Sequence, residues 1–404
     1  MKAIRPKHPF RLALVGLAIV VVAALAFGAY YMITTAIEPA ELASSDVAKT
    51  TNLSPEIVSI ESKLLFTGNT FWGRYTNDAA QKTSDPYAFP FSRLNELERD
   101  SYDAWITGLE CPVTQKAASM TSADMAVALQ FNCDPAYMSN FAKWFDIVTL
   151  ANNHTDNQGV DGFAETQKRL ADEGIQYFGH YDPEALDDAC DVMSVPVRTT
   201  WSDDSTTEDL LPMAMCGYHG VFKIPSPASL AQVTKYSQYM PVIAMPHSGQ
   251  EYVAEPDQIK TTMNRTLIDN GATMVLADHP HWVQSSEVYN GKLIVYSMGN
   301  FMFDQQDNSE TTRGAAVQVS FVDDTDDAVS LKQWLELGKR CKQYKDDCLE
   351  QASAQGLKKL TLTYTFGVVA TDTTGYATHR ASSDVQAAVE QRLHWQQTMK
   401  ELAQ

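Results

Sequence analysis

The sequence predicts an α/β fold for the body of the chain, and three observations support this. Short apolar runs that are typical of buried strands end repeatedly in polar turns, as at 63–67 and 104–107. Two further runs, 242–245 and 274–277, enclose a segment with helical periodicity. Near the carboxyl end, apolar and polar residues alternate over 317–321, as they do in half-buried antiparallel strands.

The amino-terminal residues predict a membrane anchor. A basic tail, 1–11, precedes an uncharged apolar run, 12–33, and a tether rich in Ala, Ser, Thr and Glu, 34–57. The apolar run is long enough for a transmembrane helix and exceeds the roughly 7–15 apolar residues of a cleavable signal. Its basic flank predicts a single-pass protein of the cell membrane, with a cytoplasmic amino terminus and an extracytoplasmic body. A cleaved signal peptide is the alternative, and it would also export the body.

The exported body is predicted to have two parts. Residues 58–310 form the main domain, and 311–404 complete it with strands, a charged helical insertion and a terminal helix. The amphipathic terminal helix is expected to begin at an amino cap at Ser382 or Ser383.

The first half of the body contains one more strand and helix with polar residues between them. A strand at 145–151 leads into a helix whose apolar face is expected to include Val160. The segment 182–205, rich in acidic residues and in Ser and Thr, is interpreted as a surface excursion. His219 stands at the end of the following strand and is interpreted as a surface or packing histidine rather than a ligand.

The helix enclosed by the two central runs has clear signals of its own. Ile259, Met263 and Leu267 recur at every fourth position, and Gly271 stands where a left-handed residue would end the helix. A right-handed crossover then places both strands in one sheet with their carboxyl ends at the same edge. We therefore expect the histidines that follow these strands to share one rim.

Composition restricts the partners and indicates disulfides. The formal net charge of −19, from 50 acidic and 31 basic residues, argues against nucleic acid or an anionic membrane surface as a generic partner. The six cysteines include no C-x-x-C pair, which favours disulfides in an exported protein over free buried thiols or a zinc motif. Cys341 and Cys348 are the first predicted pair, and the other four cysteines admit several pairings.

Several strand ends carry potential metal ligands. They are Asn69, Glu110, Asn153 with His154, His247, and His279 with His281. Carboxylate, amide and imidazole groups from several strand ends are the ligands that a two-metal phosphoesterase needs. Each group alone is common in turns and loops, but their joint occurrence behind successive strands predicts a metal site. The sequence contains no nucleotide-binding glycine loop and no serine-hydrolase elbow.

The motifs around these residues resemble those of the CapA-like capsule and poly-γ-glutamate biosynthesis proteins. GNTFWGR is similar to the family's G-D-[VI]-M-x-x-R, GLECPVT to N-L-E-x-P-[IV]-T, and LANNHTDNQGVDGFAET to L-A-N-N-H-x-x-D-x-G-x-x-G-[LF]-x-x-T. HSGQEY resembles H-W-G-x-E-Y, DHPHWVQ resembles H-H-P-H-V-x-Q, and YSMGNFMFD resembles Y-S-L-G-N-F-x-F-D. The resemblance covers about 64–304. It implies a fold like that of the calcineurin-like metallophosphatases, with layered β-sheets flanked by helices.

The resemblance also implies roles for individual residues. The ligands of one metal would be Glu110, Asn153, His247 and His279. The ligands of a second metal would be Glu110, His281 and, weakly, Asn69. His154 would act as an acid or as an electrostatic group beside the leaving oxygen. The residues that would support these ligands are Glu251, Asp278, Asn300 and Asp304.

Departures from the family motifs weaken the second metal site. Asn69 stands where the family has aspartate, Gly108 where it has asparagine, and Asp278 where it has the first histidine of H-H-P-H. Glu110 remains as the clear carboxylate ligand, so two divalent cations would leave excess positive charge in a buried site. We therefore expect one tightly bound divalent ion of the Mn, Zn or Fe class.

Two functions are compatible with these observations. The first is a membrane-anchored, phosphoesterase-like hydrolase or transferase that acts on an anionic surface polymer or a phosphorylated intermediate in capsule synthesis, export or processing. The second is a non-catalytic, polymer-binding or scaffold subunit of a capsule synthase complex with a degenerate metal site. The resemblance supports the biological setting more firmly than the reaction.

Overall fold

The fold is a mixed α/β arrangement built around one large sheet. A computed structural model describes residues 55–115, 120–323, 327–342 and 347–404, and within them 14 strands form the sheet. In chain order the strands are β1 (Ile57–Thr70), β2 (Ala104–Leu109), β3 (Ile147–Thr149), β4 (Gln176–Phe178), β5 (Cys190–Trp201), β6 (Thr206–Gly220), β7 (Val242–Ser248), β8 (Met274–Leu276), β9 (Ser286–Tyr289), β10 (Lys292–Val295), β11 (Asn300–Met302), β12 (Arg313–Asp323), β13 (Thr363–Asp372) and β14 (His379–Arg380).

Helices flank the sheet. The α-helices in the described part of the chain are α1 (Arg74–Ala80), α2 (Ser122–Ala128), α3 (Met138–Phe141), α4 (Gly159–Asp172), α5 (Leu186–Ala189), α6 (Pro227–Leu230), α7 (Gln232–Ser237), α8 (Gln258–Asp269), α9 (Ser309–Thr312), α10 (Ala328–Cys341), α11 (Cys348–Ala354), α12 (Ser383–Leu393) and α13 (Trp395–Leu402). Short 3-10 helices span Phe89–Phe91, Leu94–Leu97, Arg99–Ser101, Pro135–Tyr137 and Thr374–Tyr376.

Strand β1 joins two sets of strands because its two halves pair with different neighbours. Its first half lies between β12 and β5, and the sheet continues from β5 through β6, β7, β8 and β10 to β9. Its second half pairs in parallel with β2 and β11, and β2 continues through β3 to β4. Strand β5 is antiparallel to both β1 and β6, so the parallel strands of both sets point the same way. Their carboxyl ends therefore lie at one rim.

Two hydrophobic cores cover the two faces of the β1–β2–β3 set. Leu64 and Phe66 of β1 pack in the larger core with residues of β5 to β8, such as Met215. Leu65, on the opposite face, packs in the second core. This alternation is the two-residue period of a strand that is buried on both faces. The second core is rich in aromatic rings, including Trp72, which lies 4.9 Å from the ring of Phe141.

The strand–helix–strand unit β7–α8–β8 has the predicted form. The side chain of Asp257 caps α8 by accepting a hydrogen bond from the backbone N–H of Lys260. Met263 and Leu267 are buried, and Gly271 has a φ of +107°, the conformation expected after a helix end. Ile259 differs from the prediction, because it is 56 % exposed in the first turn of the helix.

Two other local predictions are corrected. The segment predicted as a surface excursion, 182–205, contains strand β5, which pairs with β6 along its whole length. Val192, Val195 and Val197 are buried, as are Met193 and Ser194, so this is a strand covered on both faces and not a surface loop. The expected face residue Val160 of α4 is 70 % exposed.

The terminal amphipathic helix begins where the sequence predicts. The hydroxyl of Ser382 accepts a hydrogen bond from the N–H of Val385, which identifies Ser382 as the amino cap of α12. His394, with a φ of 55°, separates α12 from α13, so the predicted single helix is two.

Three disulfides link the six cysteines. The pairs are Cys111–Cys133, Cys190–Cys216 and Cys341–Cys348. The predicted Cys341–Cys348 pair is confirmed, and the other two pairings are among those that the sequence left open. The Cys111–Cys133 bond closes a loop that begins directly after β2.

The predicted membrane anchor lies outside the described residues. This applies to the basic tail 1–11, to the apolar run 12–33 and to the tether 34–57 as far as Ser54. Among the residues that are described, no helix is long and apolar enough to cross a membrane.

Candidate metal centre

The carboxyl ends of the parallel strands bring the predicted ligands to one rim. In chain order these residues are Asn69 in β1, Glu110 after β2, Asn153 and His154 after β3, His247 in β7, and His279 and His281 after β8. Each of these side chains is at most 8 % exposed. Ionisable groups buried to this extent require specific partners, because loss of water destabilises their charged forms.

The turn after β8 has an unusual backbone conformation. His279 and His281 have φ values of 95° and 60°, in a region that non-glycine residues rarely occupy. Such residues cost about 1–3 kcal/mol each and persist where the surroundings fix them. Here the amide oxygen of Asn69 accepts the N–H of His279 at 3.3 Å, and the N–H of Tyr252 donates to the Pro280 carbonyl at 2.9 Å. These bonds hold both imidazoles at the rim.

A buried lysine connects β7 and β8 at the same edge. Lys260 of α8 is fully buried, and its Nζ donates to the carbonyl oxygens of Ser248 at 2.7 Å and Asp278 at 2.8 Å. Burial lowers the pKa of Lys260, and the carboxylate of Asp278 acts in the opposite direction. The lysine therefore fixes the backbone that presents the histidines.

The side chains of Asn153 and His279 both lie close to Nε2 of His247. Its Nδ1 lies 2.7 Å from Oδ1 of Asp278, and its Nε2 lies 2.7 Å from Oδ1 of Asn153 and 3.1 Å from Nδ1 of His279. Burial lowers the pKa of His247 well below its usual range, so the ring is neutral at pH 7. With its one proton on Nδ1, facing Asp278, Nε2 presents a lone pair to an amide oxygen that also carries lone pairs. Nδ2 of Asn152, at 3.1 Å, is a donor near this nitrogen, and Nδ1 of His279 is a second donor in the tautomer that protonates it.

Glu110 is a second buried carboxyl group at this rim, beside Asp278. It is fully buried, and neither carboxylate oxygen has a hydrogen-bond partner in the described part of the chain. Burial raises the pKa of Glu110 well above its usual range, the nearby charges of Asp278 and Glu251 raise it further, and Arg74 and Asn152 lower it in part. Oε1 of Glu110 lies 3.7 Å from Nε2 of His281. A buried carboxyl in this state is stabilised either by a proton or by a cation.

The donors present fit a divalent cation only if an amide is included. Across residues 55–115, 120–323, 327–342 and 347–404, no group of three or more His, Cys, Asp or Glu side chains is arranged to hold a metal ion. The oxygen of Asn153 supplies a further donor beside His247 and His279, and Glu110 supplies unpartnered carboxylate oxygens. Two imidazoles, an amide oxygen and a carboxylate are suitable ligands for a borderline divalent cation.

The other side of the rim is organised by amides. Nδ1 of His281 lies 2.8 Å from Oδ1 of Asn300 and 3.1 Å from Nδ2 of Asn69. Because Oδ1 of Asn300 can only accept, Nδ1 of His281 carries the proton and Nε2 faces Glu110. Glu251, 41 % exposed at the mouth, has Oε1 3.9 Å from Nε2 of both His279 and His281. Asn69, which carries no charge, contributes to this side of the rim only through hydrogen bonds to Asn300 and to the backbone of His279.

Asp278 occupies space that is open because residue 108 is glycine. A Cβ at Gly108 would lie 2.3 Å from Oδ2 of Asp278. Asp278 is 2 % exposed, and Oδ2 has no hydrogen-bond partner within the described ranges. Burial raises the pKa of Asp278, and Lys260 partly offsets this. The two departures from the family motifs, Gly108 and Asp278, are thus in direct contact.

His154 is held by a ring stack and an amide. Its ring is parallel to that of Phe131 at 3.6 Å, with 7° between the planes. Nδ1 lies 3.0 Å from Oδ1 of Asn157, which also accepts the N–H of Phe131 at 2.7 Å. Because that amide oxygen only accepts, the proton of His154 is on Nδ1. Burial lowers the pKa of His154 to about 4, so at pH 7 the ring is neutral and Nε2 can accept a proton.

Asp304 lies behind the rim in a buried ion pair. Arg74 donates from Nε and Nη2 to the two carboxylate oxygens of Asp304, at 2.9 and 2.6 Å. Its guanidinium also lies 4.2 Å from the centre of the Phe131 ring, on which His154 stacks. This pair connects α1 and the segment after β11 to the side of the rim that carries His154.

Three site residues were not identified from the sequence. Asn152 bonds His247 and accepts the N–H of His154 at 2.7 Å, although only its neighbour Asn153 was predicted as a ligand. Lys260 shares the buried face of α8 with Met263, and a lysine on an apolar helical face is a usable signal. His219 was expected to be a surface or packing histidine, and it is only 6 % exposed.

Known proteins share these motifs. The family model described as "Bacterial capsule synthesis protein PGA_cap" matches residues 63–305. The chain is 27 % identical over 251 residues to "PGA biosynthesis protein CapA" of Bacillus subtilis (strain 168), covering 59 % of this chain and 63 % of that protein. It is 27 % identical over 172 residues to "Capsule biosynthesis protein CapA" of Bacillus anthracis, covering 40 % and 41 %. The chain thus spans less than two thirds of the length of each curated relative.

One solved structure shows a distant similarity. The crystal structure of TT1561 of Thermus thermophilus aligns with 63 % of this chain and 93 % of its own, at 10 % identity and a TM-score of 0.34. An alignment this loose carries no argument about fold detail or function. The family match, in contrast, covers more than half of the chain and confirms the resemblance drawn from the motifs. The chain belongs to the family of bacterial capsule synthesis proteins described as PGA_cap.

Proposed function

We propose that this protein takes part in the synthesis, export or processing of an anionic capsular polymer of the poly-γ-glutamate type. The family and the two CapA relatives support a role in capsule polymer synthesis. The proposal includes an extracytoplasmic body with a metallophosphatase-like arrangement of layered sheets and an amino-terminal membrane anchor at 12–33. Capsule synthase subunits are the expected protein partners.

A single metal centre is the chemical core of the proposal. The observation that carries it is the fully buried Glu110, whose unpartnered oxygens lie at the rim where His247, His279 and Asn153 converge. We propose that these four residues hold one divalent ion of the Mn, Zn or Fe class. Bound there, the ion would supply positive charge that polarises a phosphoryl or carbonyl oxygen of an anionic substrate. Asn69 and His281 would form a weaker second position, because Asn69 brings no negative charge.

The chain's own residues have separate tasks in this proposal. Asp278 orients His247 through its 2.7 Å bond, and Lys260 fixes the backbone of both strands that carry the histidines. His154 is neutral, and its unprotonated Nε2 is placed to receive a proton from a reacting group. Glu251 at the mouth is placed to repel polymer carboxylates unless a cation intervenes. The reaction favoured is therefore phosphoesterase-like hydrolysis or polymer processing.

A non-catalytic role is the second candidate. Asn69 is occupied by neutral hydrogen bonds to Asn300 and to the backbone of His279, which favours a degenerate site. In that case the rim would bind polymer, and the protein would act as a scaffold subunit of a capsule synthase complex.

The two candidates are separated by assaying the purified full-length chain. Phosphodiesterase activity and poly-γ-glutamate cleavage are measured with added Mn²⁺ or Zn²⁺, in wild type, His279→Ala and Asn69→Asp. The exposed His394, replaced by Asn to suit its left-handed backbone, serves as the matched histidine control. Activity that is lost in His279→Ala and raised in Asn69→Asp supports the enzyme. If every variant is inactive while polymer binding persists, the enzymatic proposal is wrong and the scaffold role stands.

A further inference from the structure

His219 extends the rim beyond the residues used above. It lies at the carboxyl end of β6 in register with His247 of β7, and paired residues on parallel strands face the same side of a sheet. Gly217, two residues earlier on this face, packs so closely that an added Cβ would lie 2.6 Å from Oγ1 of Thr149 and 2.9 Å from Cβ of Ala151. This face of β6 therefore meets the end of β3, from which Asn153 and His154 follow.

The hydrogen bonding of His219 fixes its tautomer. Nδ1 lies 2.6 Å from the carbonyl oxygen of Tyr181. A carbonyl oxygen can only accept, so Nδ1 carries the proton. In the neutral ring Nε2 then presents a lone pair, and burial, which lowers the pKa of His219, favours this neutral form.

Nε2 of His219 has no partner in the protein as described. The side chain is 6 % exposed, and within the described residues no hydrogen-bond donor reaches Nε2. A buried acceptor without a donor is destabilising, by an amount comparable to a lost hydrogen bond. The group is therefore suited to a donor that arrives with a ligand.

An exposed aromatic ring lies beside His219. Phe222 meets the His219 ring edge to face, with 5.7 Å between ring centres, and is itself 77 % exposed. An acceptor nitrogen beside an exposed aromatic ring is suited to a ligand that offers an N–H for the nitrogen and a short methylene stretch for the ring. Phosphate and carboxylate oxygens are acceptors at neutral pH and give Nε2 no hydrogen bond.

We propose that His219 and Phe222 form a subsite that binds the backbone of a polyamide substrate, with a substrate amide N–H donating to Nε2 of His219. The proposal rests on the proposed role with an anionic capsular polymer and adds the chemical group that is recognised. The γ-linked glutamate unit has this combination, because its amide N–H is separated from the next carbonyl by a short aliphatic stretch that includes two methylene groups. Beside His247, the subsite would hold one unit next to the metal centre.

The test measures binding of three polymers to the full-length chain by isothermal titration calorimetry. The probes are poly-γ-glutamate, which has amide donors, polygalacturonate, which has carboxylates and hydroxyl donors but no amide, and polyphosphate, which has neither kind of donor. The variants are His219→Phe, which removes the acceptor, and Phe222→Ala, which truncates an exposed side chain and so leaves the buried core intact. His394→Asn is the control.

The expected result is a loss of poly-γ-glutamate affinity of about 3- to 10-fold in His219→Phe, the size of one hydrogen bond. Phe222→Ala should weaken the same polymer by at least about 3-fold. Polyphosphate binding and metal content should be unchanged in both variants. Unchanged poly-γ-glutamate affinity in both variants would overturn the subsite alone, as would a loss of metal from His219→Phe or an effect confined to polygalacturonate. If the wild type binds none of the polymers, the proposed function and the subsite are both wrong.

Discussion

The close approach of Asp278 to Gly108 predicts how much stability a Gly108→Ala substitution would cost. Gly108 lies in strand β2 with a backbone that alanine can adopt, so the usual effect of Gly→Ala would be a stabilisation of about 0.4–1 kcal/mol. Here the new Cβ would lie 2.3 Å from Oδ2 of Asp278. The carboxylate cannot turn away freely, because Oδ1 is bonded to Nδ1 of His247 at 2.7 Å.

We therefore expect Gly108→Ala to destabilise the protein. Overpacking in a buried site costs about 1–3 kcal/mol, and loss of a hydrogen bond to a charged group adds about 1.5–3 kcal/mol if Asp278 rotates. A total of about 2.5–6 kcal/mol is expected from these two terms. The same substitution in an Asp278→Ala background has no carboxylate to meet, so it should be neutral or slightly stabilising.

The assay is urea unfolding of the four proteins of this double-mutant cycle. The free energy of unfolding is obtained by linear extrapolation, and the coupling energy between the two positions should be at least about 2 kcal/mol. If Gly108→Ala costs the same with and without Asp278, the two residues are not in contact as described and the reasoning fails.

Two further predictions concern ion pairs at different depths. Arg74→Met should cost about 3–5 kcal/mol in urea unfolding, because it leaves the carboxylate of Asp304 buried without its partner; adding Asp304→Asn should restore most of this, and a failure to do so would contradict the pairing. Arg265 lowers the pKa of Glu287 in the folded protein, chiefly through its hydrogen bonds. The ionised carboxylate therefore stabilises the fold at pH 7. This stabilisation is lost as the pH falls from the unfolded-state pKa of about 4.3 through the lower pKa of the folded state. Glu287→Gln should thus cost less than about 1 kcal/mol at pH 7, since both groups are partly exposed, and its difference from wild type should shrink in acid; a difference that grows in acid would reverse the assigned sign.

Local pattern was sufficient for the elements that build the rim. Periodicity and the position of Gly271 located α8, and short apolar runs located β2, β3, β7 and β8. These signals depend only on residues that are close together in the chain, so they can be recognised in a single sequence. Val160 and Ile259 are the two exposed exceptions. Both lie in the first turn of a helix, a turn that extends past the ends of the strands and so does not pack on the sheet.

Long-range pairing was not accessible in the same way. Strand β5 resembles a polar surface segment until its pairing with β6 is known, because Asp191, Ser194 and Arg198 interrupt its apolar residues. The branching of the sheet at β1 likewise depends on four partners spread along the chain.

Side-chain contacts within the site were the least predictable feature. The residue types at the rim were read correctly from the strand ends, whereas the contact of Gly108 with Asp278 joins positions far apart in sequence. The sequence left open whether His219 lies at the surface or in packing, because it does not reveal that Gly217 packs against the end of β3. Burial of a histidine follows from such packing and not from its neighbours in the chain.

The central claim is one tightly held divalent ion at the rim, and metal analysis tests it most directly. The full-length chain is purified, dialysed without chelator and analysed by inductively coupled plasma mass spectrometry, beside His247→Ala, Glu110→Gln and the control His394→Asn. We predict about one equivalent of a Mn, Zn or Fe class ion in wild type and control, and loss of that ion in the other two variants. Two equivalents that survive dialysis, or one equivalent that persists in both rim variants, would contradict the account.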